Sequence, residues 1–468
     1  MSQEANGDIS LRQIISSKMF LVFSSIIILI DLSFPPTFTW DSGHYFSYFK
    51  VLNGELPWSA WDPLRGLFFP LYLKSITVLL GKTSIALLIP MIFFHLVLFL
   101  IISWLAMSAS QSVFKIKQNW LVFFVFIFIA LDPLIVGFYH AVLTEFIASL
   151  LAILSCLCAY LLFKNVENKK ILLILFFLFS ILIIVAWHLK QPYFGTAFFP
   201  LMLASFLTLV KVHQKGLFLR IIAGNVLVVV VLLASIFAWD RAVPSNNDPA
   251  YQTRTISSWL DTAFSRNLDL LERSPKAFLR IYTYNYLTLA NIYYWEADRF
   301  VNEGKFVIDT TFSLTRAREN KTIAYRIYDY GTSNLLTVPQ EFLSNVTFYE
   351  DRYEPPVYLN EFLKATTPKS NLLFSTLYLT LPFTFFIVFL LVIFKKDPKD
   401  CLIITFICSG SALLNALEHS FFNLPADRYL FWGYPLVLLC FLLFLLFLYD
   451  QISRILHRHA ADAANPSV

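Results

Sequence analysis

Ten runs of apolar residues, each long enough to cross a bilayer as a helix, constrain this chain more than anything else in its sequence. They lie at roughly 14–36, 84–107, 119–138, 142–163, 170–188, 192–210, 217–238, 371–394, 401–418 and 428–450. A helix needs about 20 mostly apolar residues to span hydrocarbon, where every backbone polar group must be satisfied inside the segment. The runs therefore predict an all-α polytopic membrane protein. Composition agrees, because 57% of the residues are hydrophobic and only 14% are charged, unlike ordinary soluble domains. An eleventh run, 66–80, stops at Gly81 and Lys82 and carries Lys74 in its middle. It predicts an interfacial helix rather than a crossing.

Loop charges test that choice. With the N-terminus inside, ten spans put Lys115/Lys117, Lys164/Lys169/Lys170, Lys211/Lys215/Arg220, Lys395/Lys396/Lys399 and Arg454/Arg458 on one side. The positive-inside rule makes that side cytoplasmic, whereas counting 66–80 as a span puts most of these clusters outside. Both termini are then expected in the cytoplasm, with a bacterial inner or plasma membrane as the location. Membrane orientation accounts for the formal charge of +5, so no nucleic-acid partner is called for. The polar first 18 residues precede an apolar run without a clear small-residue cleavage site, which reads as a retained span. The five cysteines, Cys156, Cys158, Cys401, Cys408 and Cys440, all lie in or beside apolar runs. They read as packing residues rather than a disulfide framework.

Three regions follow: a membrane core over 1–238 with a first outer loop at 37–83, an extracytoplasmic domain at 239–370, and C-terminal spans with a cytoplasmic tail at 371–468. Within the middle region Pro275 to Phe300 has near-helical spacing, and Phe306 to Tyr330 has the β-branched and aromatic content of short strands.

Four polar features fall on the non-cytoplasmic side. The first loop opens Thr39-Trp40-Asp41-Ser42-Gly43-His44-Tyr45 and continues through Trp58, Trp61, Asp62 and Arg65. Asp41 is placed to act as a base; the alternative is a solvated acid in an interfacial aromatic belt. His140 to Glu145 comes next, with Glu145 opening a long apolar helix, where a carboxylate is favoured by the helix dipole. Third is Trp187-His188-Leu189-Lys190-Gln191-Pro192, in which Lys190 is an outside cation suited to an anionic headgroup, or simply snorkelling. Last is Glu418-His419 followed by Asp427-Arg428-Tyr429. Arg428 has the fork geometry for a phosphate, with a local pair to Asp427 as the alternative.

This layout resembles the GT-C class of integral membrane glycosyltransferases, which includes protein O-mannosyltransferases and lipid A aminoarabinose transferases. The matching pieces are Asp41 with Tyr45 after the first span, Pro70-Leu71-Tyr72 opening the interfacial helix, Thr144-Glu145, and Arg428-Tyr429 at the last span. Where many members carry Asp-Glu and His-Pro-Pro, this chain has Asp41-Ser42 and Phe68-Phe69-Pro70. The resemblance implies a core of seven spans plus about three C-terminal spans. It also implies transfer of a sugar from a polyprenyl-phosphate donor to a hydroxyl of a glycan, lipid or protein acceptor, among membrane lipids. Asp41 and Glu145 would be catalytic. Arg428, Lys190, Arg65 and Lys74 would bind donor phosphate, and His44, Tyr45, His188 and Tyr429 would contact substrate. A divalent cation, magnesium or manganese, is left open, with Asp41 and Glu145 as its ligands. A lipid-linked glycan polymerase or ligase, and a flippase, are the competing expectations.

Overall fold

The computed structural model describes residues 14–33, 36, 40–61, 66–81, 84–111, 118–211, 215–242, 265, 267–286, 357–395, 397–421 and 432–464. The strands expected over Phe306 to Tyr330 lie outside the described residues, as do Arg65, Arg428 and Tyr429 and the side chains of Trp40, Asp41 and His44.

In chain order the helices are α1 (Lys18–Leu32), α2 (Trp40–Leu52), α3 (Phe68–Leu80), α4 (Ser84–Gln111), α5 (Gln118–Val125), α6 (Pro133–His140) and α7 (Glu145–Lys164). They continue with α8 (Lys169–Leu189), α9 (Gly195–Lys211), α10 (Lys215–Ala242), α11 (Pro275–Tyr286), α12 (Val357–Phe394), α13 (Asp400–Phe421) and α14 (Tyr434–Ala464). No strand occurs among the described residues.

Eight helices, α4, α7, α8, α9, α10, α12, α13 and α14, are long and apolar enough to cross a membrane. The chain is an integral multi-pass membrane protein. Two of the ten apolar runs depart from straight spans. The third is α5, extended by a π turn over Phe126–Ala130, and then α6, bent away by 61°. The break has a local cause. Pro133 has no amide hydrogen to donate to the preceding turn, and Asp132 adopts an extended backbone as the cap of α6. Its Oδ1 accepts from the Leu134 and Ile135 amides at 2.9 and 3.3 Å. The other carboxylate oxygen accepts from the Tyr434 hydroxyl at 3.0 Å, fixing the break against α14. The first run appears as the 15 residues of α1, a rise of about 22 Å, short of the hydrocarbon thickness of about 30 Å. The 13 residues of α3 are shorter still, as expected of 66–80.

At the centre stand α7 and α13, with 78% and 83% of their apolar windows buried, while α10 and α12 bury only 22% and 28%. α9 packs between α7 and α13, α14 lies along α13, and α10 rides outside α8. The outward faces of α10, carrying Val226, Leu227, Val230, Leu233 and Phe237, are what a lipid-facing helix presents.

Connectivity sorts the two ends of the bundle. Since α7 runs from Glu145 to Lys164 and α8 returns from Lys169 to Leu189, Glu145 and Lys190 share one end. The basic loops gather at the other, where Lys164 pairs with Asp400 at 3.0 Å and Lys399 with Asp450 at 3.2 Å. There too the Lys211 ammonium donates to the Ile393 and Lys395 carbonyls at the end of α12, at 2.9 and 2.6 Å.

Candidate functional site

The end of the bundle that holds Glu145 brings together two tight turns and the facing ends of α13 and α14. The first is the elbow 141–144 between α6 and α7. Ser42 donates from its hydroxyl to the Val142 carbonyl at 2.8 Å, stitching the start of α2 to this elbow. The Asp41-Ser42 backbone therefore lies against the segment that leads into Glu145. A glutamate in place of Ser42 has no proton to donate to a carbonyl when ionised, so this bond depends on the serine hydroxyl.

Glu145 is the first residue of α7 and fully buried. Thr144 donates to its Oε2 at 3.3 Å, and the same hydroxyl meets the Tyr193 hydroxyl at 3.3 Å. Tyr193 belongs to the second turn, where Lys190 is extended, the Gln191–Tyr193 turn follows, and α9 begins at Gly195. The Tyr193 amide donates to the Lys190 carbonyl at 2.8 Å. Lys190 is itself only 5% exposed, which excludes simple snorkelling to water. His419, at the end of α13, lies within electrostatic reach of Lys190. Its Nε2 accepts from the Trp432 indole at 3.4 Å, and Trp432 packs edge-on to Tyr193 at 6.5 Å. Glu145, Thr144, Lys190, Tyr193, His419 and Trp432 thus form one buried polar cluster drawn from three chain segments.

The remaining expected site residues are distributed as follows. Lys74 donates to the Leu52 carbonyl at 2.7 Å and so caps the end of α2. Tyr45 is buried against Phe69, with ring centres 4.7 Å apart. The His188 Nε2 bonds the Ser235 hydroxyl at 2.7 Å, and its ring meets Trp239 edge-on at 5.7 Å. An open groove of about 370 Å³ runs beside this pair, walled by Leu67, Phe68 and Leu71, by Ile184 and Val185, and by Trp239 and Ala242. His188, which also lines it, precedes Lys190 by two residues in the chain. Gly66 makes the approach of α3 possible: a Cβ there would fall 1.8 Å from the His188 carbonyl oxygen.

A second buried cluster is not evident from the order of the motifs. Asp31 of α1 accepts from His95 Nδ1 of α4 at 3.0 Å and lies 3.7 Å from His140 Nε2 at the end of α6. Both His140 nitrogens face carbonyl oxygens, Val136 at 2.7 Å and Asp31 at 3.1 Å. Carbonyls only accept, so the ring makes both bonds only when both nitrogens carry protons, with Asp31 as counterion. This cluster anchors α6 just before the Glu145 elbow. The sequence marks Asp31 and His95 as polar residues in apolar runs, yet nothing in their spacing pairs them.

From the middle region, α11 docks on the same end of the bundle. Tyr282 donates to the Leu417 carbonyl at 3.2 Å and Tyr286 to the Tyr378 carbonyl at 3.1 Å. Burial pushes the Tyr282 phenol up to about 12 and raises Tyr286 as well, so both stay protonated donors.

Among the described residues no three His, Cys, Asp or Glu side chains converge as a metal site. Through Thr144 and Tyr193, Glu145 is linked to the main chain of Lys190. Glu145 alone supplies too few oxygen ligands to cradle a divalent cation. No family model, no curated protein and no solved structure matches this chain.

Proposed function

We propose that this protein is a glycosyltransferase of GT-C type, moving a sugar from a polyprenyl-phosphate donor to an acceptor hydroxyl at the non-cytoplasmic face. One observation carries the reading. The buried carboxylate Glu145 is linked through Thr144 and Tyr193 to the turn that carries the buried Lys190, at one end of the bundle. An apolar groove reaches the same turn. An amphiphile with a phosphate head and a prenyl tail fits that pairing of cation and groove.

In this mechanism the acceptor oxygen attacks the anomeric carbon, the bond from that carbon to the phosphate oxygen breaks, and the acceptor proton passes to Asp41. The negative charge grows on the departing lipid phosphate. The cations Lys190 and Arg428 favour that charge more in the transition state than in the ground state. Glu145 orients the acceptor or supports Asp41. The stitch between Ser42 and Val142 supports the pairing of Asp41 with Glu145.

The test is incubation of purified protein in detergent with polyprenyl-phosphate sugars and release of free lipid phosphate. The bent α5–α6 pair and the membrane-embedded Asp31 cluster favour a second reading, a transporter, because coupled transporters use broken helices and intramembrane ionisable groups. Transfer in detergent separates the two, since a transporter does not catalyse it.

A further inference from the structure

Thr144 stands at the N-cap of α7, where a threonine hydroxyl ordinarily accepts a bond from an amide of the first turn. Its carbonyl takes the Ala148 amide at 3.0 Å, yet its hydroxyl caps nothing. The hydroxyl lies instead between two side chains, 3.3 Å from Glu145 Oε2 and 3.3 Å from the Tyr193 hydroxyl. All three residues are fully buried, so an unmade bond among them is costly. A hydroxyl has one proton, and an ionised carboxylate only accepts. Thr144 therefore gives its proton to Glu145, and its oxygen receives the proton of Tyr193. The Tyr193 end is anchored, because its amide donates to the Lys190 carbonyl at 2.8 Å and its carbonyl accepts from the Thr196 hydroxyl at 2.6 Å.

We infer that Thr144 and Tyr193 are positioning residues that hold the Glu145 carboxylate in fixed relation to the turn carrying Lys190. The chain of bonds stands on the distances alone, whereas its use in turnover rests on the glycosyl-transfer reading above. A glutamate side chain is rotamer-rich, and a donor on Oε2 fixes where its carboxylate points. Tyr193 in turn occupies the Thr144 oxygen as a donor and leaves the Thr144 proton aimed at the carboxylate. Loss of either hydroxyl loosens Glu145 without removing it, so the loss falls on turnover rather than on donor binding.

Two measurements on the full-length protein separate the bonds from their use. Reversible unfolding in mixed micelles is followed for the wild type, Thr144→Val, Tyr193→Phe and the double variant, which keep the side-chain shapes and remove the hydroxyls. The two hydroxyls should be coupled by about threefold or more in the unfolding constant. Additive effects overturn the relay, whatever the activity. Release of free lipid phosphate from polyprenyl-phosphate sugars is then resolved into kcat and KM. Thr144→Val should lower kcat about tenfold or more with the donor KM within about twofold, and Tyr193→Phe should lower kcat about threefold or more. Thr144→Ser keeps the hydroxyl and should hold kcat within about threefold of the wild type. An unchanged kcat in Thr144→Val, or an equal loss in Thr144→Ser, overturns the positioning role. Should Thr144→Val not fold, Thr144→Ala takes its place in both measurements. A wild type that releases no lipid phosphate removes the role in turnover together with the glycosyl-transfer reading, and the coupling alone then decides the relay.

Discussion

Removing the charge from Asp31 tests whether the Asp31–His140 contact is an ion pair or an ordinary hydrogen bond between helices. The carboxylate and the His140 Nε2 are 3.7 Å apart and both side chains are almost wholly buried. At an effective dielectric of about 20, unit charges about 4 Å apart attract by about 4 kcal/mol. Neutral hydrogen bonds between membrane helices average only about 0.6 kcal/mol. The two readings thus differ several-fold, which a double-mutant cycle resolves. Asp31→Asn strands the His140 charge and is expected to cost about 3–5 kcal/mol, whereas His140→Gln leaves Asp31 its bond from His95 and should cost less. The double variant removes both charges together and should cost less than the sum, by a coupling of about 2–4 kcal/mol. Reversible unfolding in mixed micelles, followed by circular dichroism, measures all four proteins. A coupling near 0.6 kcal/mol or below would refute the ion pair and leave His140 a neutral packing residue.

Asp41→Asn should lower transfer by about 10²–10⁴-fold with membrane insertion intact, and full activity in that variant removes Asp41 as the base. Lys190→Ala should lower kcat by about 10²-fold or more through the lost phosphate contact; normal single-turnover rates would end that role, and Arg428→Ala is read the same way. Gly66→Ala drives a methyl into the His188 carbonyl and should destabilise by about 1–3 kcal/mol or more, seen as a lower melting temperature; an unshifted melt contradicts the close approach of α3 to α8. Lys74→Met removes a charged donor from the Leu52 carbonyl and should cost about 1.5–3 kcal/mol of stability, with a donor KM change beyond that loss the sign of a phosphate role.

Residue periodicity and charge bias determine the secondary structure and its ordering, because a bilayer allows few solutions for an apolar run. The expected helices therefore appear where the runs lie, the short run 66–80 forms α3, and Glu145 opens α7 as its place at the head of an apolar run requires. The dipole of that helix is legible for the same local reason. What the sequence by itself could not decide is which helices touch. Asp31, His95 and His140 are separated by 64 and 109 positions from their partner, and no spacing rule pairs side chains across three helices. The bend after α5 falls inside the run 119–138 that reads as one span, and its lock, the Tyr434 hydroxyl, comes from the far end of the chain. The polar cluster shows both parts. Lys190 and Glu145 are readable singly as polar residues at span ends, whereas the link between their turns through Thr144 and Tyr193, and the tight seat of Gly195 against Asn415 and Glu418, exist only once α7, α9 and α13 pack together. Local patterning sets each helix, and burial in a shared low-dielectric interior then sets which polar groups must satisfy one another.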